Sequence, residues 1–204
     1  MDFEIDGVLG GKVTDKNDLE GFLACTKHIF PTEAKFMAWV RSGIRQGLWN
    51  KHPVKMELLN SKRRRIKNPN PNPRKGAETV WGLECNSCGG EFKQIDCEVD
   101  HMIGEFSLKS VDDLVEFFKG IALVTPQDLQ ILCKGCHGIK TYSERYGVSL
   151  VVAEATKMTI EALKTKKYLT ELTRLGVTKV LTKTKAREVL INLYAQEIEG
   201  EKGG

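Results

Sequence analysis

Long apolar runs are missing from this 204-residue chain. Its best local stretch, Val148 to Ala153, falls far short of the ~18 consecutive apolar residues that a membrane helix needs. The amino terminus, MDFEIDG, is acidic and lacks the basic-then-apolar order of a secretory leader. No internal repeat is visible. These absences argue against export and membrane spanning, and they set the expectation of a cytoplasmic chain without a membrane partner. What is present is ordinary for a folded protein: 41% hydrophobic and 28% charged residues, in a length suited to about one or two domains.

Charge is unevenly placed. Residues 51–75 carry nine Lys or Arg against one Glu, whereas residues 76–146 carry six against twelve Asp or Glu. A basic block suggests a polyanionic partner, and a cluster of acids can hold a divalent cation. Lys62, Arg63, Arg64, Arg65, Lys67, Arg74 and Lys75 are the candidates for phosphate contact, which gives affinity without sequence information. The plainer reading is a solvated basic linker.

Six cysteines decide more than charge does. Cys85 and Cys88 form one C-x-x-C, Cys133 and Cys136 form another, and Cys25 and Cys97 stand alone. In a reducing compartment stable disulfides are rare, so two such pairs read as a tetrathiolate zinc site. Each pair sets two thiolates on one tight turn, and two turns complete a tetrahedron. Gly89-Gly90 after the first pair lets the backbone fold round the ion. The 44 residues between Cys88 and Cys133 exceed the ~15–20 of a compact zinc ribbon, so something substantial is inserted within the staple.

Hydrophobic spacing predicts helices over 17–28, from after Pro31 to Gly47, and from Val54 into the basic run at 62–65. Asn68-Pro-Asn-Pro-Asn-Pro73 fits neither helix nor central strand and reads as an extended linker. Ile95, Cys97 and Val99 alternate with acids, which predicts a strand. Ser110 to Asp113 resembles a capping box before a short helix, and Leu129 to Cys133 predicts a second strand. Further helices are expected over about 135–146, 149–163, 168–175 and 184–198. A helix ending at Gly176 and another opening at Thr184 suit either a helix-turn-helix or generic helical packing. The expected fold is α+β and mostly helical: a central zinc-stapled ββα unit flanked by helices. The segments are 1–67 (helical, with a basic end), 68–75 (linker), 76–146 (zinc-stapled) and 147–204 (helical).

The staple gathers Asp100-His101, at the end of the first strand, and His137, directly after Cys136, with Lys140 a turn further on. An Asp and a neutral His make an open site for a divalent ion. A second His beside them can serve as a general base. That combination suits phosphodiester cleavage.

Cys85-Asn-Ser-Cys88-Gly, Val99-Asp100-His101 and Asp128-Leu-Gln-Ile-Leu-Cys133-Lys-Gly-Cys136-His137-Gly-Ile-Lys140-Thr together resemble the HNH endonuclease family over about residues 80–146. The resemblance implies a ββα-metal finger and a nuclease domain at 76–146. It implies a structural zinc held by the four paired cysteines and one catalytic divalent cation, Mg2+ or Mn2+ or another. On that pattern His101 matches the general base, while Asp100 and His137 match the metal ligands. Asp128 stands where the family pattern has Asn; an ionised Asp only accepts hydrogen bonds, yet it can still orient His101 or its loop. Lys140 joins the candidate nucleic-acid contacts. The implied substrate is DNA, double-stranded, in the host cytoplasm if the chain is of phage origin, with other phage or mobile-element proteins as further partners. The alternative is a zinc-stapled nucleic-acid-binding module that has lost catalysis, for which Asp128 is the main support.

Overall fold

A computed structural model describes residues 17–104, 107–179 and 181–202. Packing divides the described residues into two units, one formed by those up to 57 together with those between 103 and 126, the other by 58–102 together with the described residues from 127 onward.

The first unit is helical, and its third helix, α3 (Pro53–Lys62), runs from it into the second. After α1 (Asn17–Cys25), α2 (Glu33–Gly47) starts after Thr32, which is extended and whose hydroxyl accepts the Lys35 N–H, satisfying one of the unpaired amides of the first turn. The face predicted from spacing is the one that packs: Met37 is buried, with Phe36, Val40 and Ile44 beside it. α3 opens on a proline, whose fixed φ and missing N–H suit a first helical turn. It ends before the arginines, which the spacing had placed inside it. α4 (Leu114–Ala122) follows a 3-10 turn at Val111–Asp113. The Asp113 carboxylate accepts the N–H groups of Lys109 at 2.9 Å and Ser110 at 2.8 Å, so the capping box read from the sequence is formed. Leu108, Phe117 and Ile121 then close the core around Met37. The insertion within the zinc staple thus supplies most of the buried residues in this core.

The second unit holds both sheets. β1 (Arg64–Lys67), β2 (Thr79–Glu84) and β3 (Glu91–Lys93) form an antiparallel sheet in that order. Nothing in the sequence pattern predicts this sheet. The Pro/Asn-rich stretch at 68–75 lies in the connection between β1 and β2. Its asparagines turn the chain: Asn68 Oδ1 accepts the Asn70 N–H and Asn70 Oδ1 accepts the Asn72 N–H, both at 3.0 Å. Asn68 Nδ2 donates to the Ala77 carbonyl at 2.8 Å. Asx turns at alternate residues and prolines between them reach the same end by different means.

β4 (Cys97–His101) and β5 (Leu129–Cys133) pair antiparallel, with Cys97 opposite Cys133 and His101 opposite Leu129. α5 (Lys134–Tyr146) begins directly on β5, completing a β-β-α unit. The fold is therefore α+β and mostly helical, with two small antiparallel sheets beside the cysteine quartet, as expected.

The tail, α6 (Leu150–Lys164), α7 (Tyr168–Arg174) and α8 (Lys183–Lys202), packs around Ala155, Leu172, Ala186, Leu190, Tyr194 and Ile198. Ser149 caps α6 by accepting the Val152 N–H. Two buried hydroxyls, Thr156 and Thr159, donate to the carbonyls four residues back, which settles their polarity inside an apolar interface. Among the described residues no helix is long and apolar enough to cross a membrane.

Candidate metal centre

The first C-x-x-C turns the chain from β2 into β3. The Gly89 N–H donates to the Cys85 carbonyl and the Cys85 N–H to the Gly90 carbonyl, each at 2.9 Å. Gly89 takes φ 68°, a conformation that costs glycine little and other residues more. The second pair uses a helix start instead. Cys133 ends β5 and is the N-cap of α5, its sulfur accepting the Cys136 N–H at 3.4 Å. Asn86 joins the two turns. Its N–H donates to the Ile131 carbonyl at 2.8 Å, and its Oδ1 accepts the Ile131 N–H at 2.7 Å. The first knuckle is thereby fastened along β5, a link that nothing in the cysteine spacing announces.

The result is four sulfur atoms all within 4.8 Å of one another. Cys85 and Cys133 are buried, Cys136 is half-buried and Cys88 is exposed. Four soft donors converging from two turns suit a tetrahedral ion such as zinc and leave no open position for water or substrate. Burial opposes ionisation of Cys85, but backbone hydrogen bonds from Cys133, Cys88 and Ser87 overcome it and bring its pKa down to about 7. Burial pushes Cys136 up to about 12. All four sulfurs must be thiolates to hold an ion, so binding releases protons. Cys97 lies near the quartet without joining it; burial, with the neighbouring cysteines, pushes it up to about 11.

A second group of side chains sits on the same β-β-α unit. Alternation along β4 puts Glu98 and Asp100 on one face. His137, in the first turn of α5, lies over that face. Its Nδ1 is 2.9 Å from Glu98 Oε2 and its Nε2 is 3.8 Å from Asp100 Oδ1. One helical turn on, Lys140 Nζ lies 2.9 Å from Asp100 Oδ2 and also pairs with Glu144. Burial works against the ammonium, but its hydrogen bonds to Glu144 and Asp100 outweigh that and hold its pKa above the ordinary lysine value.

His101 is half-buried at the last position of β4. Strand alternation carries its side chain to the face opposite Asp100. Gln130 Nε2 donates to its carbonyl at 3.2 Å, and the Met102 N–H donates to the Asp128 carbonyl at 2.8 Å. Asp128, the last residue of a 3-10 turn before β5, therefore closes the strand pair just behind His101 through its main chain. Beside this end a cleft of about 590 Å³ is lined by Ser87, Cys88, Met102, Gln130, Leu132 and Lys140, among others.

The basic candidates scatter by role. Arg64 is clamped between two carboxylates, Glu91 Oε1 at 2.6 Å and Glu84 Oε2 at 2.8 Å. Arg63 and Arg65 instead lie over the Trp81 ring, each 4.7 Å from its centroid. Lys62 ends α3, Lys67 ends β1, and Arg74 and Lys75 sit in the β1–β2 connection. Lys140 belongs to the Asp100 network rather than to the basic block. Two participants escape the sequence reading. Glu98 was legible, since an acid two residues before Asp100 in a strand must share its face. Trp81 was not, because β2 itself carries no clear strand signal.

No family profile matches the chain, and no solved structure does. A protein of Lactococcus phage SK1 described as "Probable HNH endonuclease" is 41% identical over 70 residues, which is 33% of this chain and 66% of that protein. The chain thus spans just under two thirds of that relative. The chain is thus similar to that protein over a third of its own length, and its cysteine quartet is able to hold a metal ion, which is consistent with a zinc-stapled finger.

Proposed function

We propose that the chain is a metal-dependent endonuclease that hydrolyses DNA phosphodiester bonds, with its chemistry in residues 76–146 and the helical flanks as accessory parts. The observation that carries this reading is the convergence of His137 and Asp100 across α5 and β4, at 3.8 Å, directly beside the cysteine quartet. An imidazole nitrogen and a carboxylate oxygen are a donor set that fits a divalent ion while leaving most of its shell to water and phosphate. Bound there, Mg2+, Mn2+ or a similar ion supplies positive charge against the scissile phosphate and the leaving oxygen.

The remaining work falls to the chain itself. Glu98 accepts the Nδ1 proton of His137, which turns the Nε2 lone pair toward Asp100 and fixes the ring. His101 takes a proton from the attacking water as the oxygen–phosphorus bond forms, and the bond to the departing sugar oxygen breaks. Its place on the other face of β4 suits a base that works from the side of the phosphate away from Asp100. Asp128 is a positioning residue that acts through its carbonyl on the turn after His101. Cys85, Cys88, Cys133 and Cys136 hold zinc for structure alone. The exposed basic residues hold the phosphates of the DNA.

One observation favours the second reading, a binding module without catalysis: Asp100 is already neutralised by Lys140 at 2.9 Å. An ammonium on that oxygen competes with a metal ion. Incubating the purified protein with supercoiled plasmid separates the two. Nicking or linearisation that needs Mg2+ or Mn2+ and stops in EDTA is the expected result. Binding without cleavage under any divalent ion establishes the module instead.

A further inference from the structure

We propose that the β1–β2–β3 sheet carries a second nucleic-acid contact, in which Trp81 stacks on an unpaired base while Arg63 and Arg65 hold the adjoining phosphates. The proposal rests on the reading above that the substrate is DNA, and it narrows that substrate to DNA with unpaired nucleotides, such as a branch, flap or overhang.

Strand parity separates the arginines. Arg65 lies directly opposite Trp81 in the β1–β2 register, so the two side chains share one face of the sheet. Arg64 leaves from the other face, where Glu84 and Glu91 hold it. The three consecutive arginines are therefore not equivalent. Among the described residues no carboxylate pairs with Arg63 or Arg65, whose side-chain partner is the indole. Lys62 and Lys67 are exposed nearby in the sequence and add charge of the same sign. Trp81 is 43% exposed, on a strand that has Leu83 fully buried for packing.

An exposed aromatic ring bracketed by cations suits a strand that offers flat bases and phosphates alternately. A guanidinium resting on an exposed ring is held more weakly than a base stacked on the same ring. An incoming base can thus take the ring as the arginines swing to the phosphates on either side. Duplex DNA keeps its bases stacked on one another and offers the ring nothing. The ring therefore distinguishes unpaired from paired DNA, which the charges alone do not.

The test is fluorescence anisotropy with the zinc-loaded full chain, using a labelled single strand, a blunt duplex and the same duplex with a single-stranded overhang, over a range of salt concentrations. Trp81→Ala is expected to weaken the single strand and the overhang by about tenfold, leaving the blunt duplex and the salt slope unchanged. Trp81→Phe should recover most of the loss. Arg63→Gln with Arg65→Gln should lower the salt slope by about 1–2, whereas Arg64→Gln should leave it in place. Unaltered zinc content in Trp81→Ala checks its fold. Wild-type affinity for single strands in that variant overturns the proposal, as does a preference for polyglutamate over DNA. Equal binding of blunt and overhang duplexes overturns it too but leaves the endonuclease reading standing. Failure to bind any DNA removes both.

Discussion

Cys88 is the exposed member of the quartet, whereas Cys85 and Cys133 are packed with Leu132. Its replacement therefore tests the metal rather than the core. Elemental analysis should find about one zinc per wild-type chain, and Cys88→Ser should lose it and lose the ordered knuckle with it, because so small a unit depends on its metal for folding. Folded protein without zinc contradicts the assignment. The histidines and their carboxylate neighbours separate by the same kind of reasoning. His101→Ala should lower cleavage by a factor of ~10²–10⁴ while DNA affinity holds. Asp100→Ala and His137→Ala should raise the Mn2+ concentration required, or abolish cutting, with zinc retained. Glu98→Ala should weaken Mn2+ binding by a factor of ~10–100, measured directly by electron paramagnetic resonance, and Glu98→Gln, which still accepts from Nδ1, should weaken it less. Equal Mn2+ affinity in both Glu98 variants and wild type would show that the 2.9 Å contact does not orient the ring.

At the scale of elements, β2 depends on a missing side chain. A Cβ on Gly82 would stand 2.6 Å from Ile66 Cγ1 and 2.9 Å from its Cγ2, so Gly82 is where β1 and β2 come together over the buried Ile66. Gly82→Ala should cost about 1–3 kcal/mol from overpacking, measured by chemical denaturation of the zinc-loaded protein. A neutral result would mean that Ile66 can move aside. The same glycine explains why this sheet is invisible in the sequence. Strands announce themselves by alternating apolar residues, but β1 contributes only Ile66 to the interior, within a run of cations, and β3 is three residues long. Where side chains carry the pattern, the reading is close. Met37 with Val40 and Ile44 marks α2, Ser110 with Asp113 marks the start of α4, and the alternation at Cys97 and Val99 marks β4. The metal quartet is legible because thiol spacing is itself the chemistry. Its fastening through Asn86 is not, since an asparagine that pairs with a strand reads like any turn residue.

At the scale of the whole molecule, acid should loosen the tail. Glu171 is held below the ordinary carboxylate value of 4.5 by its hydrogen bond to Arg174, and its contact with Tyr194 works in the same direction. Glu197 is likewise lowered by Arg174, which it meets through two hydrogen bonds of 2.6 and 3.0 Å. A carboxylate whose pKa is lower in the folded state contributes stability above its unfolded value, and that contribution disappears as pH falls through the folded one. Thermal stability of the α6–α8 region should thus be level above about pH 5 and decline below it, and Glu171→Gln should flatten the decline. A profile unchanged in that variant would exclude this network as the cause.

The route of the backbone through the two units also bears on how the protein assembles. Met102 and Asp128 are joined by a hydrogen bond, yet nearly everything between them belongs to a different packing unit. Pairing β4 with β5 from an open chain means closing a long loop, whose entropy cost grows with the logarithm of its length. Docking Leu108, Phe117 and Ile121 onto Met37 confines that loop before the knuckles meet. Assembly should therefore run from the helices to the thiols, with the ion arriving last. Phe117→Ala, distant in sequence from every cysteine, should slow zinc capture during refolding, as followed with a chromophoric zinc indicator, by more than it alters zinc retention once the chain is folded. Capture at the wild-type rate would mean that the knuckles find each other unaided, and that the 44 residues between Cys88 and Cys133 are cargo to the folding reaction and not its guide.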